Sequence, residues 1–262
     1  MAKRLLILVL TVDQEPWHTI EVEGQRATWA NTTDKEQSVF WLYGRTGGVT
    51  RFLMRAGGKA LKMIGAERAL ACYRHRTGSW AARLPVLQEG DRVLTQVPET
   101  YLNTNPKTIA GLRYMLGRYK FQYLLRTNTS TYINRKLLAE FVEGLPEERY
   151  YGGFIGESGG VRFASGACTL LSRDAIEMIV ADPQWEYNII DDVAIGRSMN
   201  RMGVGVQPIS RVDVLDDKDL DDLDIDRLRS TFVVRCKGIQ NREHDVIAMH
   251  RVHSLYQAIG LA

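Results

Sequence analysis

Hydrophobic positions divide the chain into alternating strand-like and helix-like stretches. Residues 5–12 are almost unbroken Leu, Ile and Val, and a run without polar alternation predicts a central parallel strand buried on both faces. Residues 20–31 predict a helix. Residues 38–43, SVFWLY, predict a second strand closed by Gly44, and residues 92–96 a third. Ile109, Leu112, Met115 and Leu116 share one face of a helix opened by Asn105-Pro106, where the missing N–H of proline costs nothing. Residues 121–125 predict a strand that runs directly into polar Arg126-Thr127-Asn128-Thr129-Ser130. Asn134 caps the next helix, with the stripe Leu137, Leu138, Phe141 and Val142 and a stop at Gly144. Ser172 caps a helix bearing Ile176, Ile179 and Val180. Asp191 and Asp192 open another, with Ile195, Met199 and Met202 on one face and Gly203 at its end. A strand over 204–214 and the stretches 232–237 and 244–253 follow. This succession suits an α/β fold with a mostly parallel central sheet flanked by helices.

The 262 residues are 45% hydrophobic and 25% charged, a globular composition that accommodates one large α/β domain or two small ones. A net charge of +3 is too small to argue for a polyanionic partner by itself. Cys72, Cys168 and Cys236 are scattered and contain no CxxC pair, which excludes a disulfide framework and a zinc site and favours a reducing compartment. The first residues, MAKRLLILVL, imitate a signal peptide. Their apolar run is short, however, and Asp13 and Glu15 stand where a small-residue cleavage site belongs. No stretch approaches the length of a membrane span. The expected protein is soluble and cytoplasmic.

Charge is distributed unevenly. Residues 45–83 hold nine Lys or Arg against the single acid Glu67, with Phe52, Leu53, Ala56, Ala60, Leu61 and Ile64 at roughly helical spacing. This predicts a basic helical insertion, either a solvated face or a surface for nucleic acid or an anionic membrane. Conversely, residues 216–226 carry seven Asp and one Lys, as in a solvated acidic loop.

Three stretches carry candidate chemistry. The polar segment 126–130 follows a strand, and ligands in open α/β sheets sit beyond the carboxyl ends of strands; the same residues also suit a junction that only satisfies backbone groups. The Gly-rich residues 152–172 allow close backbone approach to a ligand but lack P-loop spacing. Asp191 and Asp192 are either helix-start caps or a general base facing that loop.

Five stretches, in order, resemble the β1,3-galactosyltransferase and Fringe-like glycosyltransferases. Arg26-Ala27-Thr28-Trp29 resembles the R-x-T-W helix, and the strand through Gly44 resembles V-F-x-x-G. Residues 99–108, ETYLNTNPKT, look like D-x-Y-x-N-L-T-x-K-T. Residues 163–172, FASGACTLLS, look like Y-x-x-G-x-x-Y-x-L-S, and Asp191-Asp192-Val193-Ala194-Ile195-Gly196 looks like E-D-V-x-x-G. The resemblance covers most of the chain and implies a single GT-A (Rossmann-like) domain over 1–262. It further implies transfer of a sugar from a nucleoside diphosphate, with UDP the expected nucleotide, to an acceptor hydroxyl with inversion. Asp192 would be the base and Asp191 its orienting neighbour. Thr11, Val12, Asp13 and Arg26 would line the nucleoside pocket, and Gly166 would approach donor or acceptor.

The chain departs from that family at one place. Where the family carries the metal-binding D-x-D, this chain has Arg126-Thr127-Asn128-Thr129-Ser130. A hard cation on a diphosphate wants anionic oxygen ligands, so the Mn2+ or Mg2+ implied by the family loses its carboxylates here. Arg126, Lys107 and Arg251 are then candidates to neutralise the diphosphate, and His250 is a candidate for metal or phosphate contact. Two other readings compete, a catalytically inactive nucleotide- or glycan-binding homologue and a dehydrogenase-like enzyme; no GxGxxG follows the first strand to support the latter. The basic insertion favours an anionic acceptor, a hydroxylated DNA base as in some phage glycosyltransferases, with a cell-envelope or lipid-linked glycan as the alternative.

Overall fold

The computed structural model describes residues 4–31, 37–45 and 47–261. Its strands are β1 (Leu5–Leu10), β2 (Gln37–Arg45), β3 (Leu87–Glu89), β4 (Arg92–Pro98), β5 (Tyr123–Asn128) and β6 (Thr131–Ile133). These are followed by β7 (Tyr151–Ser158), β8 (Val161–Ser172), β9 (Gln207–Pro208), β10 (Val212–Val214) and β11 (Val233–Cys236). The larger sheet has the order β3-β4-β2-β1-β5-β8-β7-β9, and β10-β11-β6 form a smaller one. Strands β4, β2, β1 and β5 are mutually parallel, β8 and β7 join antiparallel, and β9 runs parallel to β7.

The helices are α1 (Trp17–Thr19), continuing into a π-helical stretch Ile20–Arg26, then α2 (Val49–Met63), α3 (Glu67–Ala81), α4 (Thr104–Arg118) and α5 (Arg135–Glu143). After them come α6 (Arg173–Ala181), α7 (Asp191–Arg201), α8 (Asp217–Asp221), α9 (Ile225–Arg229) and α10 (Glu243–Ala258). The unbroken apolar character of β1 is explained by its two covered faces. Leu6, Leu8 and Leu10 pack with Ile109, Leu112, Ile176 and Ile195 from α4, α6 and α7. Leu5, Ile7 and Val9 pack on the other side with α5, α10 and the smaller sheet. Successive side chains point to opposite faces, so one strand nucleates both cores.

Several boundaries differ from the sequence expectation. The strand expected over 121–125 does not stop at residue 125: Arg126, Thr127 and Asn128 pair with Leu8, Val9 and Leu10 of β1. Each of these side chains finds partners within the fold, Arg126 on Asp191 and the Gly166 carbonyl, Thr127 on the Ala167 carbonyl and Asn128 on Ser130 and Thr131, so the sheet extends through the polar segment. The strand ending at Gly44 continues to Arg45. The single strand expected over 204–214 is two short ones, β9 at the edge of the large sheet and β10 in the small one. Pro208 has no N–H to donate, and an edge position tolerates it. The Gly-rich stretch is the β7–β8 hairpin, turned by Gly159 and Gly160 at φ 58° and 73°, a region side chains disfavour. The Asn134 cap forms as expected, its side chain accepting from the Leu137 N–H at 3.0 Å.

The basic segment is the packed helix pair α2 and α3, which follows β2 at its carboxyl end. Thr46 and the side chains of Leu53 and Arg55 lie outside the described residues. No helix among the described residues is long and apolar enough to cross a membrane.

Candidate functional site

A cavity of about 610 Å³ opens at the carboxyl ends of β1 and β5. This is where an α/β sheet binds ligands, because loops leaving neighbouring strands diverge there. Its wall combines residues from β1 (Leu10), β5 (Arg126 and Asn128), β8 (Ser165 to Ala167), the start of α7 (Asp191 and Asp192) and the segment around β11.

Of the residues singled out from the sequence, Thr11, Val12, Lys107, Arg126, Asn128, Thr129, Ser130, Gly166, Asp191 and Asp192 line this cavity. Thr127 is fully buried beneath it, its hydroxyl donating to the Ala167 carbonyl at 2.7 Å. Four others lie away from it. Asp13 is exposed and pairs with Arg92 at 3.4 Å and His18 at 3.6 Å. Arg26 is held by Asp91 and Glu21 at 2.7 and 3.0 Å and covers the Trp41 ring. His250, on α10, makes a 2.8 Å contact with the Glu23 carbonyl, and Arg251 is exposed on the same helix.

Two of the cations expected to meet a diphosphate are already engaged. Arg126 and Asp191 form a buried ion pair, and Arg126 also donates to the Gly166 carbonyl. Thr108 donates to the same Asp191 carboxylate at 2.8 Å. Lys107 is buried and donates to Glu99 at 2.6 Å and to the Thr11 carbonyl at 2.9 Å. Glu99 in turn accepts from the Gly44 N–H at 2.6 Å, tying the end of β2 to α4. Removing a charge from water costs several kcal/mol unless it is paired in this way. These cations therefore brace the cavity floor.

Asp192 is different. Among the described residues its carboxylate accepts only from backbone N–H groups, Val193 at 2.8 Å and Gly166 at 3.3 Å. Burial, and after it the neighbouring Asp191 charge, push its pKa above the usual carboxylate range, against the opposing pull of Arg126. A half-buried carboxylate with raised basicity, facing a cavity, suits proton abstraction.

The opposite wall is basic, and it was not singled out from the sequence. Arg235 and Lys237 reach the cavity from β11 and the residue after it, and Arg242 from just before α10. Arg242 pairs with buried Asp245 at 2.7 Å and donates to Ser130 at 2.6 Å. Burial, and for Arg235 the nearby Arg211, lower the pKa of Arg235; burial followed by Arg235 and Arg242 lowers that of Lys237. Val234 and Cys236 are buried while Arg235 and Lys237 alternate with them. That two-residue period of cations within an apolar strand was the available signal. Trp17 and Tyr101 add aromatic surface to the lining.

The residues at the expected metal position are poor ligands for a divalent cation. Asn128, Thr129 and Ser130 offer neutral oxygens, Asp191 is committed to Arg126, Glu99 to Lys107, and His250 lies outside the lining, which leaves Asp192 as a carboxylate without a cationic partner. No group of three or more His, Cys, Asp or Glu able to hold a metal ion occurs among the described residues.

No family model matches the sequence, and no curated protein matches it. Two solved structures of the galactosyltransferase LgtC are similar at 12% identity, each match covering 97% of this chain and 95% of the other. One is a complex with donor and acceptor sugar analogs (TM-score 0.46), the other an active-site mutant (TM-score 0.44).

Proposed function

We propose that this chain is a GT-A glycosyltransferase that takes a nucleoside diphosphate sugar, UDP-sugar first, into the cavity at the ends of β1 and β5. The observation that carries this reading is Asp192, a carboxylate of raised basicity in a basic cavity large enough for such a donor. Asp192 takes the proton from the acceptor hydroxyl as its oxygen bonds to the anomeric carbon. The bond from that carbon to the diphosphate oxygen breaks, its electron pair leaves with the diphosphate, and the configuration inverts. Asp191, fixed by Arg126 and Thr108, holds the first turn of α7 and so positions Asp192. Thr11 and Val12 supply the pocket edge, and Trp17 a surface on which a nucleobase can stack.

For the acceptor, α2 favours an anionic lipid surface, and hence a lipid-linked glycan, over a base in duplex DNA. Phe52, Lys59 and Met63 share one face, and Phe52 and Met63 are 71% and 77% exposed. Apolar side chains among cations match a lipid headgroup layer, whereas phosphates of a duplex need cations alone.

The central experiment is sugar transfer from UDP-, GDP- and dTDP-sugars with wild type and Asp192→Asn. Loss of turnover with retained donor binding supports the reading; normal turnover in the variant overturns the base assignment. A chain that binds none of these donors would be a different kind of protein.

A further inference from the structure

We propose that Arg235 and Lys237, steadied by Arg242, form a diphosphate-binding subsite that does the work of a divalent cation in this cavity. The inference rests on the donor reading above and adds how the leaving group is neutralised.

The placement follows from strand pairing. β11 lies antiparallel to β6, with Arg235 opposite Thr131, and the Cys236 N–H donates to the Ser130 carbonyl at 2.8 Å. The cations therefore stand beside the turn of Asn128, Thr129 and Ser130, where the resemblance puts metal-binding carboxylates. Arg235, on β11, and Lys237, the residue just beyond it, both line the cavity. Arg242 closes the group from the other side through its bond to Ser130.

Charge pairing then separates these cations from the rest. Lys107 is matched by Glu99, Arg126 by Asp191 and Arg242 by Asp245. Among the described residues Arg235 forms an ion pair only with Asp213, at 4.0 Å, and that carboxylate is already held by Arg211 at 2.9 Å. Lys237 belongs to none of the ion pairs found among the described residues. Like charges held together in a half-dry cavity raise each other's energy, and an anion between them relieves it. Burial first, and then neighbouring cations (Arg211 for Arg235, Arg235 and Arg242 for Lys237), lower the pKa of both groups, in keeping with charges left poorly compensated. A diphosphate offers oxygens to several cations at once, and Arg235 can bind them bidentately. When the bond to the anomeric carbon breaks, the new negative charge develops on the oxygen that these cations face. A metal at the same place would meet neutral Asn128 and Ser130 and two repelling cations.

The test is calorimetric titration of the full chain with inorganic pyrophosphate and with UDP, in EDTA and in manganese. Wild type is expected to bind pyrophosphate equally in both. Arg235→Gln and Lys237→Gln are each expected to weaken binding about tenfold or more, and Lys136→Gln, exposed on α5 and outside the cavity lining, to leave it unchanged. Lys237 is exposed, so its substitution leaves folding intact, and thermal unfolding of each variant checks this. Binding that requires manganese, or that ignores both substitutions, overturns the proposal. Metal-dependent sugar transfer with indifferent variants would sink the subsite and leave the enzyme reading standing. EDTA-resistant pyrophosphate binding through Arg235 and Lys237, without binding of any nucleotide sugar, would do the reverse.

Discussion

Arg126 at the end of β5 and Asp191 in the first turn of α7 form an ion pair in which each side chain is 5% exposed. It joins the parallel centre of the sheet to the helix that presents Asp192. The pair serves position more than stability, since two charges taken from water gain little net free energy from each other. Breaking it is another matter. Asp191→Ala leaves a buried guanidinium unmatched and is expected to cost about 3 kcal/mol or more. Chemical denaturation is the measurement, and an unchanged midpoint would mean that Arg126 finds water in the folded state.

Asp192→Asn tests the chemistry directly. General-base catalysis contributes roughly 10²- to 10⁴-fold, so initial rates should fall within that range while calorimetric donor affinity stays near wild type. A variant that lost donor binding equally would assign Asp192 to binding.

The raised pKa of Asp192 sets a direction for pH dependence. The base acts when deprotonated, so kcat/KM falls as pH drops through its folded pKa, at a higher pH than for an ordinary carboxylate. Stability runs the other way. A carboxyl whose folded pKa is raised destabilises the fold above that pKa, and the penalty disappears in acid, where folded and unfolded forms are both protonated. Asp192→Asn should therefore unfold at a higher temperature than wild type near neutral pH, with the gain vanishing at low pH. A gain independent of pH would assign it to packing.

Gly166 is a point of close approach. A Cβ there would overlap Nη1 of Arg126, whose guanidinium is fixed by Asp191 and cannot swing away cheaply. Gly166→Ala is expected to destabilise by about 1–3 kcal/mol, as overpacking does, and to lower turnover by displacing the backbone N–H that holds Asp192. Paired measurements of unfolding and rate check this; a loss of stability with an unchanged rate would free Gly166 of any catalytic consequence.

The α2 face separates the acceptor classes. Binding to anionic phospholipid vesicles should weaken with salt yet leave a salt-resistant part, and Phe52→Ser should remove that part. Vesicle flotation across a salt series reads both. Binding to duplex DNA with a steep, complete salt dependence, and none to vesicles, would favour the nucleic-acid acceptor.

Local chemistry determined a large share of this protein. The apolar run of β1, the Asn134 cap and the helix opened by Asp191 and Asp192 are each decided by residues a few positions apart, and so were readable in the chain. Arg126, Thr127 and Asn128 were not readable as strand, because their β pairing depends on β1, more than a hundred residues earlier, and the side chains of Arg126 and Thr127 find partners on β8 and α7. Nor could spacing show that Lys107 and Arg126 would be spoken for by Glu99 and Asp191, or that Arg235, Lys237 and Arg242 would arrive beside Ser130. A side chain's charge is a property of the sequence. Whether that charge is matched or left facing a cavity depends on which distant strand the fold sets next to it.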